Sequence, residues 1–161
     1  MNKLKVRGIG KIIFAIVICQ LAGAIGSVFT FSSIPTWYAS LQKPAFSPPN
    51  WLFGPAWLTL YTLMGVSLYL VWQKGLKNKK VKHAVTVFAI QLVLNALWSI
   101  IFFGLRLPFI AFIEILLLWV AIAYTILSFY RISRNAAYLL VPYILWVSFA
   151  AILNYSIWIL N

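Results

Sequence analysis

The sequence predicts an all-α integral membrane protein, a bundle of five transmembrane helices. Three observations predict it. Of its 161 residues 64% are hydrophobic and 9% charged, where a soluble domain carries about 25% charged residues. The apolar residues gather into five runs of roughly 20, the length that crosses a hydrocarbon core. The 13 basic residues, set against one acid for a net charge of +12, stand almost entirely in the connections between those runs. In a soluble chain that excess would point to nucleic acid. Here membrane topology accounts for it, and no nucleic-acid partner is expected.

The first span, about 8–31, follows Lys3, Lys5 and Arg7. Its basic start, apolar 12–19 and small residues Leu21-Ala22-Gly23-Ala24 imitate a signal peptide. The apolar run continues past that point, however, and Gly23 and Gly26 suit close helix packing. It is read as a span that stays, and the two glycines also as candidates for contact between copies. The connection 32–50 is the only long one and reads as a lid loop, holding Trp37, Tyr38, Pro44, Pro48 and Pro49. Proline has no amide donor and biases its predecessor away from helix. The stretch KPAFSPPNWLFGPAWLTLY is therefore a rigid extended lead into span two, about 51–72. A basic loop, 74–82, separates it from span three, about 83–103, which ends near Gly104-Leu105-Arg106. Span four, about 108–130, opens on Pro108, where proline suits a first turn. After Arg131 and Arg134, span five covers about 136–158 with Pro142 inside it. The chain, 1–161, reads as a single membrane domain without an internal repeat.

Basic residues set the orientation. Lys3, Lys5, Arg7, Lys11, Lys74, Lys77, Lys79, Lys80, Lys82, Arg131 and Arg134 fall on one side, leaving only Lys43 and Arg106 on the other. The amino terminus is expected inside and the carboxyl terminus outside. That places Trp51, Phe53, Trp57, Asn95, Trp98, Ser99, Glu114, Trp146, Ala150 and Asn154 together in the outer half, beneath the lid loop. Gln91, Asn95, Trp98 and Phe102 follow helical spacing on one face, as do Trp146, Ala150 and Asn154. Polar groups at this depth are costly and face a bundle interior. The pattern predicts an outer-half cavity lined by tryptophan, suited to a flat apolar ligand.

Plainer roles stand beside that one. Trp37, Trp72 and Trp158 read as interfacial anchors. Asn95 and Asn154 either join helices or reach a ligand. Glu114 is either protonated or paired with Arg106. No Ser-His-Asp set, paired carboxylates or Cys/His metal cluster is present, so neither a metal nor a required cofactor is expected.

An ordered set of motifs runs through nearly the whole chain: Trp37-Tyr38, Lys43-Pro44, Pro48-Pro49-x-Trp51, Phe53-Gly54-Pro55-x-Trp57, Leu60-Tyr61-x-x-Met64-Gly65, Asn95-x-x-Trp98, Phe102-Phe103-Gly104-x-Arg106, Glu114, Pro142-Tyr143-x-x-Trp146, Phe149-Ala150 and Leu153-Asn154. In these the chain resembles the tryptophan-rich sensory protein and mitochondrial translocator protein family, also called the peripheral-type benzodiazepine receptor, and looks bacterial. The resemblance implies a five-helix bundle in the cell membrane, commonly a homodimer. It implies a receptor or sensor that binds porphyrins such as protoporphyrin IX, linked to tetrapyrrole metabolism or stress. It places the ligand pocket on Trp51, Asn95, Trp98, Trp146, Ala150 and Asn154, to which Phe53 is added from its place in the outer half. Trp51 and Trp146 are the pair implied for porphyrin contact and, were there turnover, for photochemistry. Light- and oxygen-dependent porphyrin degradation and transport of porphyrin or sterol-like amphiphiles are the alternatives. The proposed cholesterol motif of animal relatives needs a basic residue after the tyrosine; 156–161 contains none, which argues against tight cholesterol binding. With no transmembrane histidine and Cys19 in the inner half, a metal-free porphyrin held by stacking is expected.

Overall fold

The computed structural model describes residues 3–161, with side chains from residue 8 onward. The side chains of Lys3, Lys5 and Arg7, counted above toward the amino-terminal charge, lie outside the described residues. Helix α1 covers Lys3–Ser33, and its part Gly8–Ser33 is long and apolar enough to span a membrane. Ala15, Cys19 and Gly26 are buried along it, a stripe of small residues that lets neighbouring helices approach. A Cβ on Gly23 would stand 2.3 Å from the Tyr61 ring, and one on Gly26 2.9 Å from Ser99 Oγ. Both glycines are thus used inside one chain, which removes them as candidates for contact between copies.

The long connection is not featureless. It contains a short helix, α2 (Trp37–Ser40), and is pinned at several points. Tyr38 is buried, with ring centroids 6.4 Å from Phe102 and 5.7 Å from Phe103. Trp37 packs edge-on to Phe102 at 5.6 Å, so it seats on the core besides any role as an anchor. Ser33 Oγ donates to the Phe103 carbonyl at 2.8 Å. Gln42 N donates to Asn161 Oδ1, and Asn161 Nδ2 donates back to the Gln42 carbonyl, each at 3.0 Å.

Pro49 is extended (φ −62°, ψ 143°), and a 3-10 turn, Asn50–Leu52, leads into α3 (Phe53–Trp72). Helix α4 (Lys79–Ser99) starts earlier than expected. The Asn78 side chain accepts from Lys80 N at 2.9 Å, capping an orphan amide, so Lys79, Lys80 and Lys82 are helical and the basic loop is shorter. The helix then widens into a π turn, Ile100–Gly104. The reversal that follows puts Arg106 in the left-handed region (φ 58°). Helix α5 (Pro108–Tyr130) has the expected bounds.

The fifth span is broken, against the expectation of one helix with an internal proline. It consists of α6 (Arg134–Leu139) and α7 (Val141–Leu160). Pro142 cannot supply an amide to the carbonyl four residues back, and its ring crowds that carbonyl. The chain therefore restarts, with Pro142 in a first turn. Both halves together still give a membrane span, Arg134–Leu160. The five spans pack around the core in the ring order first, second, fifth, fourth, third.

Candidate ligand site beneath the proline-rich loop

The site grows from three helical stripes that meet at the loop end of the bundle. On α3, Phe53, Trp57 and Tyr61 recur every four residues and share one face. On α7, Trp146 meets them: its ring lies 6.1 Å from Phe53 and 6.5 Å from Trp57, both nearly perpendicular. Phe149 continues the group at 5.8 Å from Trp146, and Phe46 of the loop covers Phe149 at 6.3 Å. Three of these contacts are edge-to-face and the one between Trp146 and Phe149 is tilted at 45°, so the group offers both ring faces and ring edges to a planar guest. Ala150 is half-buried one turn beyond Trp146.

Below the rings runs a chain of buried hydrogen bonds. Tyr61 OH donates to Asn95 Oδ1. Asn95 Nδ2 donates to Tyr143 OH at 3.0 Å, and Tyr143 OH donates to Gln91 Oε1 at 2.9 Å. Three helices are thereby tied at one level, α3, α4 and α7. Trp57 stacks on Tyr61 at 5.4 Å, so the aromatic group rests directly on this chain. A second link fixes the α5 side: Trp98 Nε1 donates to Asn154 Oδ1 at 3.1 Å, and Asn154 Nδ2 donates to the Pro108 carbonyl at 2.8 Å. The Trp98 ring stacks on Phe102 at 5.1 Å.

The seven residues singled out from the sequence therefore divide. Phe53 and Trp146 come together in the aromatic group, with Ala150 beside them. Trp98 and Asn154 are joined to each other, toward α5. Asn95 and Asn154 serve as interhelical connectors, each with donor and acceptor engaged. Trp51 stands apart in the 3-10 turn, 71% exposed, and among the described residues its ring pairs with neither Trp57 nor Trp146. The structure brings Trp57, already placed in the outer half from the sequence, into the site, adds Phe149 and Phe46 to it, and forms its floor from Tyr61 and Tyr143 with Gln91. Spacing from Phe53 and Trp57 on α3 could have indicated Tyr61. The loop residue Phe46 had no such signal.

Glu114 is buried, and neither carboxyl oxygen has a hydrogen-bond partner. Arg106 is exposed at the loop end. The pairing of Glu114 with Arg106 is thus corrected: the left-handed turn that carries Arg106 leaves its charge with solvent. Among the described residues no three His, Cys, Asp or Glu side chains converge to hold a metal ion. The site's own chemistry is stacking and edge contact.

The model of the TspO/MBR family matches residues 15–159. The Archaeoglobus fulgidus protein named "Tryptophan-rich protein TspO" is 46% identical over 151 residues, covering 94% of this chain and 97% of that protein. The Rhodobacter capsulatus "Protein CrtK" is 39% identical over 145 residues, covering 90% of this chain and 89% of that protein. The human "Translocator protein" is 42% identical over 135 residues, with 83% and 80% covered. With a family match over nearly all of its length and relatives this similar across most of theirs, the chain is a multi-pass membrane protein that belongs to the TspO/MBR family of membrane sensor and translocator proteins.

Proposed function

We propose that the protein is a receptor or sensor in the cell membrane that binds a porphyrin, with protoporphyrin IX as the reference ligand, among Phe53, Trp57, Trp146 and Phe149. The observation that carries the reading is the group of four rings on two helices in edge-to-face and tilted contact, covered by Phe46 of the loop. A flat macrocycle replaces ring-on-ring contacts with contacts of the same kind, so little interaction is lost on opening the group. Lys43 and Arg106, cations at this end, suit the carboxylates of such a ligand. The orientation with the amino terminus inside belongs to the same proposal and puts the site toward the outer face. So does assembly as a homodimer, through residues other than Gly23 and Gly26. The porphyrin is the only small molecule the reading requires.

The test is titration of the purified protein with protoporphyrin IX in dim light, following tryptophan emission. Saturable quenching that weakens about ten-fold or more in Trp146→Phe, equivalent to at least ~1.4 kcal/mol, is the expected result. Non-saturable quenching, equal in the variant, would mean partition into detergent and would end the reading. A second reading, light-driven degradation, draws on the contact between oxidisable rings: Trp146 with Trp57, and Trp57 stacked on Tyr61. It requires loss of the porphyrin spectrum only when light and oxygen are both present, and a slower loss in Trp146→Phe.

A further inference from the structure

We propose that the opposite, basic end of the bundle carries a binding site for an anionic phospholipid, in the groove between α1 and the end of α3. The groove has a volume of about 530 Å³ and is lined by Gly10, Lys11, Phe14 and Trp72. The rings of Phe14 and Trp72 touch, with centroids 5.8 Å apart and planes tilted by 50°, and form one continuous apolar surface along it. Lys11 Nζ lies 5.8 Å from the centre of the Trp72 ring. Gly10 leaves one side open, with nothing within 4 Å of where its Cβ would be.

Position and charge select the occupant. Trp72 is the last residue of α3, and Gly10 and Lys11 lie in the first turn of the Gly8–Ser33 span. The groove therefore stands where headgroups meet hydrocarbon, open toward the bilayer. Phe14 and Trp72 offer apolar surface to the upper methylenes of an acyl chain, and Lys11 extends its stem along that surface with its ammonium at the rim. Lys74, two residues beyond Trp72, is exposed on the same side. The chain has no carboxylate to give these cations. Its one acidic residue, Glu114, lies six residues into α5, which starts at the loop end of the bundle. The counter-charge must come from outside the protein, and the phosphate of an anionic lipid is the anion held at this depth.

This site is independent of the aromatic group at the other end and is tested separately. The full chain is placed in bilayers containing spin-labelled phosphatidylglycerol or phosphatidylcholine, and the motionally restricted lipid fraction is read for wild type, Lys11→Gln and Gly10→Leu. A Cβ at Gly10 meets nothing within 4 Å, so Gly10→Leu directs its added bulk into the groove, and an unchanged thermal midpoint and circular dichroism confirm that the fold is retained. Wild type is expected to prefer phosphatidylglycerol about five-fold, the equivalent of one lysine near an anionic surface. Lys11→Gln abolishes the preference, and Gly10→Leu lowers the restricted fraction of phosphatidylglycerol. No preference in wild type overturns the site. So does a preference that survives Gly10→Leu, because it would belong to the lysine loop as a whole. Dissociation of a dimer by Gly10→Leu would overturn it too, assigning the groove to a second copy.

Discussion

Asn95 illustrates how a lipid-embedded bundle accommodates an amide. Its oxygen accepts from Tyr61 and its nitrogen donates to Tyr143 at 3.0 Å, so neither end is left in the hydrocarbon. Such interhelical bonds contribute modestly, on average about 0.6 kcal/mol in a membrane protein. Leaving a buried partner unsatisfied costs more, about 1–3 kcal/mol. Asn95→Leu strands the Tyr61 hydroxyl, while Tyr143 keeps Gln91 as its acceptor. The expected loss is therefore about 1–3 kcal/mol, read as a lower thermal midpoint in detergent. Adding Tyr61→Phe to Asn95→Leu should recover part of that loss, because the stranded hydroxyl is gone; additive losses would refute the link. The sequence made half of this visible. Gln91 and Asn95 stand four residues apart and face inward together, which spacing predicts. Their partners Tyr61 and Tyr143 sit on other helices, and nothing local marks a tyrosine as the one whose hydroxyl reaches across. For Trp51 the sequence placed a ring at the mouth, but the side on which it falls depends on the 3-10 turn that proline spacing left open.

Between elements, the contact of α1 with α3 depends on Gly65. A Cβ there would stand 2.5 Å from Ile16 Cα, against backbone that cannot swing aside. Gly65→Ala is expected to force the helices apart at a cost of about 1–3 kcal/mol, as for overpacking elsewhere. Gly10→Ala, with open space at its Cβ, should leave the midpoint unchanged or slightly raised. Equal effects from both would show that helix propensity, not packing, governs these positions. The loop makes a different prediction. Burial raises the pKa of Tyr38 above its ordinary value of 10.0; the nearby Ser47 hydroxyl works the other way, although its oxygen stands outside hydrogen-bonding geometry. A raised value means that docking favours the neutral phenol. Its contribution is complete below pH ~10 and is lost as pH rises through the raised value. Alkaline titration should therefore release the loop, seen as faster proteolysis within 41–50, and Tyr38→Phe should shift that release to higher pH. An unshifted release would place its cause elsewhere. The five spans were legible because hydrophobic length is a strong signal. The pinning of the loop was not, since it depends on a carbonyl exposed at a π turn and on an asparagine 119 residues away.

At the scale of the whole molecule, charge separates the two ends. Among the described side chains, Lys11, Lys74, Lys77, Lys79, Lys80 and Lys82 lie at one end with Arg131 and Arg134, and Lys43 and Arg106 mark the other. Basic residues in short loops are retained on the cytoplasmic side, so this asymmetry predicts that the loop and its aromatic group face outward. The chain provides a quiet background for the measurement. Its one cysteine, Cys19, is 0% exposed, leaving wild type nearly unreactive toward a membrane-impermeant maleimide. In intact cells Ala45→Cys, on an exposed loop residue, is expected to label. Lys77→Cys, in the exposed α3–α4 connection, is expected to label only after permeabilisation. The reverse pattern would invert the protein and place the aromatic group on the cytoplasmic side. Labelling of both in intact cells would mean that the charge difference does not fix one orientation. The orientation also bears on the lipid groove. With the amino terminus inside, Lys11 and Trp72 meet the leaflet whose anionic lipids attract polybasic segments, and the aromatic group meets ligands arriving from the other face. Inverted, the groove would face the leaflet poorer in its proposed occupant, and the two sites would exchange compartments together.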